Sequence, residues 1–115
     1  MIQIKRIYDK PAKEDGTRVL VDRLWPRGVS KEDAQLDEWL KDVAPSTELR
    51  EWFGHKPERF DEFTKRYEQE LHDNPALAEL KKLAADASTL TLLYGAKDPQ
   101  INHAVVLLHV LKHAS

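Results

Sequence analysis

The sequence contains no cysteine. That excludes a disulfide framework, thiolate chemistry and a cysteine zinc site. Glycine is sparse, with four in the chain, and Gly28 stands alone instead of forming a phosphate-cradling loop. No apolar run approaches the roughly 20 residues needed to span a bilayer. Residues 2 to 7 alternate isoleucine with polar side chains, unlike a signal peptide. A cytoplasmic protein with no membrane partner is therefore the expectation.

What is present suits one domain. The 115 residues are 41% hydrophobic, enough for a single core over residues 1 to 115, and 33% charged, enough to solvate its surface. The net charge of −2 is uneven. Residues 1 to 31 carry eight basic side chains against four acids, a surplus of +4 that leaves −6 for the remainder. A basic end on an otherwise acidic chain suits a small anion better than a nucleic acid, whose phosphates the acidic part would repel.

The basic end contains the most informative stretch, Arg-Val-Leu-Val-Asp-Arg-Leu-Trp-Pro-Arg at 18 to 27. Val19, Leu20 and Val21 read as a strand covered on both faces. Asp22, Arg23 and Arg27 then bring charge to its mouth, and Pro26 cannot continue a ladder. Charges beside a buried strand are costly unless paired or used. This is the candidate site.

Periodicity supplies the other elements. Strands are expected at 2 to 7, 19 to 24 and 89 to 94, the last rich in threonine and apolar residues. Asp15-Gly16 marks a turn between the first two. Helices are expected near 33 to 43, 47 to 53, 57 to 72, 75 to 87 and 99 to 113. Their caps are read at Ser30, at Ser46 or Thr47, at Asn74-Pro75 and at Asp98-Pro99. In the first, Leu36, Trp39, Leu40 and Val43 fall at helical spacing. Trp25, Trp39, Trp52 and Phe53 read as core in preference to a stacking platform. The fold class is α/β, a small layered domain in which about five helices pack a short, mainly parallel three-stranded sheet. Long helical material between the second and third strands favours a parallel pair with a right-handed crossover. The first connection shows no helix, so local signals leave its sense open.

Five separated motifs, in order, resemble the YeaO-like proteins of the bacterial family called domain of unknown function 488. They are Val-Leu-Val-Asp-Arg-Leu-Trp-Pro-Arg-Gly at 19 to 28, Leu-Asp-Glu-Trp at 36 to 39, Ala-Pro-Ser-Thr-Glu-Leu-Arg at 44 to 50, Thr-Leu-Leu-Tyr at 91 to 94, and Asn-His-Ala-Val-Val-Leu at 102 to 107. The resemblance implies a compact α/β domain and no established activity. Longer members carry Asp-x-Arg-x-x-Pro, Cys-Ala-Glu and Cys-His-Arg motifs. Here Asp22 and Arg23 are adjacent, Tyr94-Gly95-Ala96 replaces the second motif, and only His103 survives from the third. Cysteine chemistry therefore does not transfer. The longer members' first connection looks helical, which implies a parallel first strand here.

Ligands of open parallel sheets bind beyond the carboxyl ends of the strands. That edge is expected to gather Arg6, Tyr8, Arg23, Trp25, Arg27, Tyr94, Asp98 and Asn102 around a small anionic ligand bearing phosphate, nucleotide or carboxylate. His103 and Asp22 would be the catalytic pair if the protein is an enzyme. Arg23 is expected to matter more to binding than to folding. Against this stand plainer roles: Asp22 and Arg23 forming an internal salt bridge or tying backbone at the strand end, and His103 bonding a carbonyl in the core. No cofactor is implied. His109 and His113, at i and i+4, are a weak metal pair, and no metal site is expected. Three readings stay open: an anion-binding protein, a hydrolase or transferase using His103 with Asp22 and Arg23, and an interaction module built on the tryptophan-bearing helices. The substrate and the oligomeric state are not legible in the sequence.

Overall fold

A computed structural model describes residues 1 to 113. Four strands, β1 (Ile2–Arg6), β2 (Thr17–Leu20), β3 (Glu38–Trp39) and β4 (Leu90–Tyr94), form one sheet in the order β1-β4-β2-β3. All three pairings are parallel. The expected parallel relation of the second and third predicted strands holds as β2 beside β4. The first strand is parallel as well. β4 is the centre: Leu90 faces Ile2 on one side and Thr17 on the other, and Leu92 faces Ile4 and Val19. All five of its residues are buried, as its apolar run requires.

The helices are α1 (Lys31–Ala34), α2 (Thr47–Phe53), α3 (Phe60–His72), α4 (Pro75–Asp86) and α5 (His103–His113). Single 3-10 turns lie at Lys13–Asp15, Lys41–Val43 and Pro57–Arg59, the last running directly into α3. Ser30 caps α1 by accepting the Asp33 N–H, Ser46 caps α2 through Leu49, and Asn74 caps α4 through Ala76. The large core lies on one sheet face, where Val19, Val21, Leu90, Leu92 and Tyr94 meet Phe53, Phe63, Tyr67 and Leu107. The other face is thinner. Ile7, Leu20, Ala34 and Leu93 form a small cluster there, under Trp25, Val29 and Leu36.

Three expectations need correction. The sheet has four strands, not three, because Glu38 and Trp39 pair with Val19 and Leu20. The helix expected at 33 to 43 is therefore only the four residues of α1. Gln35 turns left-handed at φ 46°, and Arg18 donates to the carbonyls of Ala34 and Gln35, so these are satisfied without a further helical turn. The Asp37 N–H then binds the Arg18 carbonyl and the Leu40 N–H the Leu20 carbonyl, which commits the segment to the sheet. Second, β2 ends at Leu20, not residue 24; one more ladder bond runs from Val21 N–H to Leu93 O before the chain leaves. Third, α5 begins at His103. Asp98 caps only a turn, accepting the N–H groups of Gln100 and Ile101, while the side chain of Asn102 accepts the Val105 N–H and starts the helix.

On the thin face one carboxylate organises the polar residues. Asp15 is 3% exposed and Arg18 4% exposed. Asp15 accepts from Arg18, from Lys5 at 3.1 Å and from the Ala12 N–H at 3.0 Å. Its carbonyl takes the Thr91 hydroxyl at 2.6 Å, and Thr91 accepts from Gln3. Gly16 makes the turn at φ 64°, and a Cβ there would collide with the Thr89 carbonyl that Thr17 N–H binds. Burial pushes the Asp15 carboxyl up, but the Ala12 N–H, Lys5 and Arg18 outweigh it and hold its pKa below the ordinary value.

A carboxyl depressed in the folded state contributes stability above its unfolded pKa, about 3.9, and that stability is lost as pH falls through the folded value. Asp15→Asn leaves Arg18 buried without its anion. We expect it to cost about 3–5 kcal/mol at neutral pH and to lose less further stability than the parent as pH is taken below about 4. Urea midpoints of both proteins across that range check this; equal midpoints at neutral pH would refute it.

Candidate functional site

The carboxyl ends of β2 and β4, the start of α5 and the end of α2 enclose a cleft of about 260 Å³. That is slightly below the size of pockets that hold drug-like molecules, and suits a small metabolite. Asp22 and Arg23 line it from the end of β2, with Leu24, Trp25 and Pro26 following. Gly95, Ala96, Asn102 and His103 line it from the β4–α5 connection. Arg50, Phe53 and His55 come from α2 and its end, and Ala44, Pro45, Phe63 and Tyr8 complete the wall.

Asp22 joins the strand ends. Its Oδ2 accepts the Gly95 N–H at 2.9 Å. A Cβ on residue 95 would lie 2.9 Å from that oxygen, so glycine is what lets the carboxylate approach. The Asp22 carbonyl accepts the Trp39 indole N–H at 2.7 Å. Asp22 Oδ1 is buried and lacks a hydrogen-bond partner among the described residues, although His103 Nε2 lies 3.2 Å away. The reason is a competitor: the same Nε2 lies 2.9 Å from the Val21 carbonyl. A carbonyl can only accept, so Nε2 carries a proton and spends it on Val21. The imidazole also packs edge-on to Tyr67, at 6.4 Å between centroids.

Arg23 is half-buried and pinned. Its Nε donates to the Pro45 carbonyl at 3.1 Å and its Nη2 to the Ala44 carbonyl at 3.0 Å. Five N–H donors sit on a guanidinium, so three remain. No Asp22–Arg23 ion pair forms among the described residues; each side chain ties backbone instead. Arg50 is exposed and makes no ion pair among the described residues.

Of the sequence-expected site residues, Tyr8, Asp22, Arg23, Trp25, Asn102 and His103 line the cleft, and Arg6, Arg27, Tyr94 and Asp98 do not. Arg6 Nε donates to the Ala96 carbonyl and its guanidinium lies over the Tyr8 ring. Arg27 is exposed, its carbonyl accepting the Tyr8 hydroxyl. Asp98 is exposed at its turn. Tyr94 is buried in the large core, and burial raises its phenol pKa against the pull of Arg6. Tyr67, fully buried and donating to the Val43 carbonyl, has its phenol raised further by the same cause. Tyr67 is therefore a donor and not a base. Asn102 is 1% exposed and is used as a cap, its amide also bonding the Asp98 carbonyl. His103 is the first residue of α5, not one turn inside it.

Sequence reasoning missed Arg50 and His55. The available signal was Leu-Arg-Glu-Trp-Phe-Gly-His at 49 to 55, where basic groups flank aromatic residues and a helix-ending glycine in an acidic half of the chain. The tryptophans are less buried than expected. Trp25 meets Trp39 edge-on at 5.3 Å, Trp39 is 36% exposed, and the guanidiniums of Arg59 and Arg66 lie over the Trp52 ring. The rings of His109 and His113 lie 4.3 Å apart, tilted by 44°, with no third metal-binding side chain beside them among the described residues. Among the described residues, no helix is long and apolar enough to cross a membrane.

Residues 1–115 match the family model described as "Inactive DUF488-N3 subclade". The uncharacterized protein Rv3073c of Mycobacterium tuberculosis is 50% identical over 110 residues, covering 96% of this chain and 92% of that protein. The uncharacterized protein YeaO of Escherichia coli is 48% identical over 113 residues, covering 96% of each. No solved structure matches.

Because Arg23 satisfies two backbone carbonyls, it has a structural share beyond any ligand. Arg23→Met keeps the aliphatic stem and removes the donors. We expect thermal and urea unfolding to show a loss of about 1–3 kcal/mol, the cost of leaving polar groups unsatisfied. A loss near zero would mean that the guanidinium serves binding alone.

Proposed function

The chain belongs to the DUF488 proteins, in their inactive N3 subclade; we propose that it binds a small anionic molecule without transforming it. The observation that carries this reading is the pair of guanidiniums at an apolar-walled cleft on the carboxyl edge of the sheet. Arg23 is held by carbonyls with three donors to spare, and Arg50 makes no ion pair among the described residues. Such groups recognise phosphate and carboxylate with two parallel hydrogen bonds. A guanidinium already fixed by its surroundings loses little freedom on binding. Asp22 supplies one opposing charge, so the two arginines leave the cleft positive.

The rival reading is a hydrolase or transferase using His103, Asp22 and Arg23, and the 3.2 Å contact between His103 and Asp22 favours it. Against it, Nε2 already donates to the Val21 carbonyl, so its use as an acid or base would require that hydrogen bond to be given up. The family's description as inactive agrees with a non-catalytic role. Nucleic acid is no part of the proposal, given the −6 balance beyond residue 31. Cytoplasmic residence belongs to it, as the compartment rich in small phosphorylated and carboxylated metabolites.

Inorganic phosphate titrated into 15N-labelled protein is expected to move the amide signals of Gly95, Ala96 and the Arg50–His55 segment. Arg50→Gln, an exposed change, should keep the melting temperature and weaken that binding by about tenfold, equivalent to about 1.4 kcal/mol. Shifts confined to other surfaces, or equal affinity in the variant, would end this reading.

A further inference from the structure

We infer that the anion bound in this cleft keeps an O–H of its own and donates it to Nδ1 of His103. The inference rests on the anion-site reading and names the class of oxyanion the site takes. Hydrogen phosphate and the hydroxy carboxylates carry such a group; sulfate and simple carboxylates do not.

The first observation is the tautomer of His103. Its Nε2 lies 2.9 Å from the Val21 carbonyl and 3.2 Å from Asp22 Oδ1. A carbonyl and an ionised carboxylate can only accept. A bare Nε2 would set its lone pair against two oxygens, so the neutral ring carries its proton there and Nδ1 has none. Asp22 is itself held in place, because its Oδ2 accepts the Gly95 N–H at 2.9 Å. Nδ1 is therefore an acceptor by construction.

The second observation is that Nδ1 is open. Among the described residues the side-chain hydrogen bond of His103 runs through Nε2, and the buried side-chain polar atom left without a partner is Asp22 Oδ1. Nδ1 has no partner among them either, yet it is not buried. The side chain is 15% exposed and lines the cleft, so the nitrogen meets the cleft's contents. Tyr67, packed edge-on against the ring, gives its hydroxyl to the Val43 carbonyl and does not compete. Arg23 and Arg50 line the same cleft and supply donors. Donors alone would take any oxyanion. A bare nitrogen beside them accepts from an O–H and repels an oxygen that has no proton to give, and a site built to bond a hydroxyl rejects the analogue lacking it.

Two probe pairs test this at about pH 8, where a histidine is ordinarily neutral. Hydrogen phosphate and sulfate share charge and shape and differ by one proton; glycolate and acetate differ by one hydroxyl. Each is titrated into the full chain by amide NMR. In at least one pair the O–H-bearing member should bind about tenfold tighter, and that pair tells phosphate from carboxylate. In protein with 15N-labelled histidine, the His103 ring should show a protonated Nε2 and a bare Nδ1, whose signal moves on binding. His103→Gln sets an amide nitrogen where Nε2 stands, keeps the Val21 bond and removes the Nδ1 acceptor. It should melt close to the parent and bring the two members of the selective pair to within about twofold. A protonated Nδ1, sulfate and acetate binding as well as their partners, or undiminished selectivity in His103→Gln would overturn the inference. The ring spectrum and the probe pairs decide it in the parent protein even where the variant fails to fold. If Arg50→Gln weakens every probe that binds while neither pair discriminates, the anion site stands and this inference alone falls. If no probe binds, both fall.

Discussion

One buried carboxylate decides the geometry of the basic end of this chain. Asp15 draws together Lys5 of β1 and Arg18 of β2, and its backbone carbonyl holds Thr91 of β4. Arg18 reaches on to the last carbonyls of α1 and forces that helix to end, which frees Glu38 and Trp39 to pair with β2. A buried ion pair is weak evidence of net stability, because desolvation offsets much of the attraction. What it supplies here is a choice between structures. With Arg18 paired and pointed at Ala34, the segment after Gln35 has a strand edge waiting for it and no reason to continue as helix.

The same interaction explains what could and could not be read from sequence. β4, α2 and the α3 and α4 stripes were legible because their patterns answer to one local periodicity. Residues 33 to 43 were not. Leu36, Leu40 and Val43 do bury or half-bury their side chains while Trp39 is exposed, so helical spacing registered burial at three of its four positions and secondary structure wrongly. The deciding partner, Arg18, lies 16 residues from Ala34 and leaves no local trace. Asp98 and Asn102 show a subtler ambiguity. Both are good caps, and only tertiary packing decides that the first serves a turn and the second the helix.

At the candidate site, charge at the mouth of a buried strand correctly marked Asp22 and Arg23 as cleft residues, and the survival of His103 marked the third. The plainer roles weighed for them, tying backbone at the strand end and bonding a carbonyl, are the ones found, although the particular partners were not legible. Asp22 binds the Gly95 N–H, Arg23 binds Ala44 and Pro45, and His103 binds Val21, each a backbone group. The residues with the most conspicuous chemistry are therefore largely occupied in closing the fold, and the least encumbered cation, Arg50, arrives from α2. Nothing near residue 22 in sequence announces it.

The strand order has a consequence for how the protein is made. β1 and β2 are separated in the sheet by a gap one strand wide, and β4 fills it, 73 residues after Arg18 at the Thr91 pairing and 88 after Gln3. During synthesis the first two strands leave the ribosome with their hydrogen-bonding edges unmet and no local hairpin to form. Only the two-residue pairing of β2 with β3 can form before residues 90 to 94 have emerged, so β1 and the β4-facing edge of β2 stay unpaired for most of translation. Pairing over such sequence distances is slow, and exposed strand edges invite wrong partners meanwhile. The polar residues of β1 and β2, Gln3, Lys5 and Arg18, are positioned to keep those waiting edges soluble before Asp15 and Thr91 claim them.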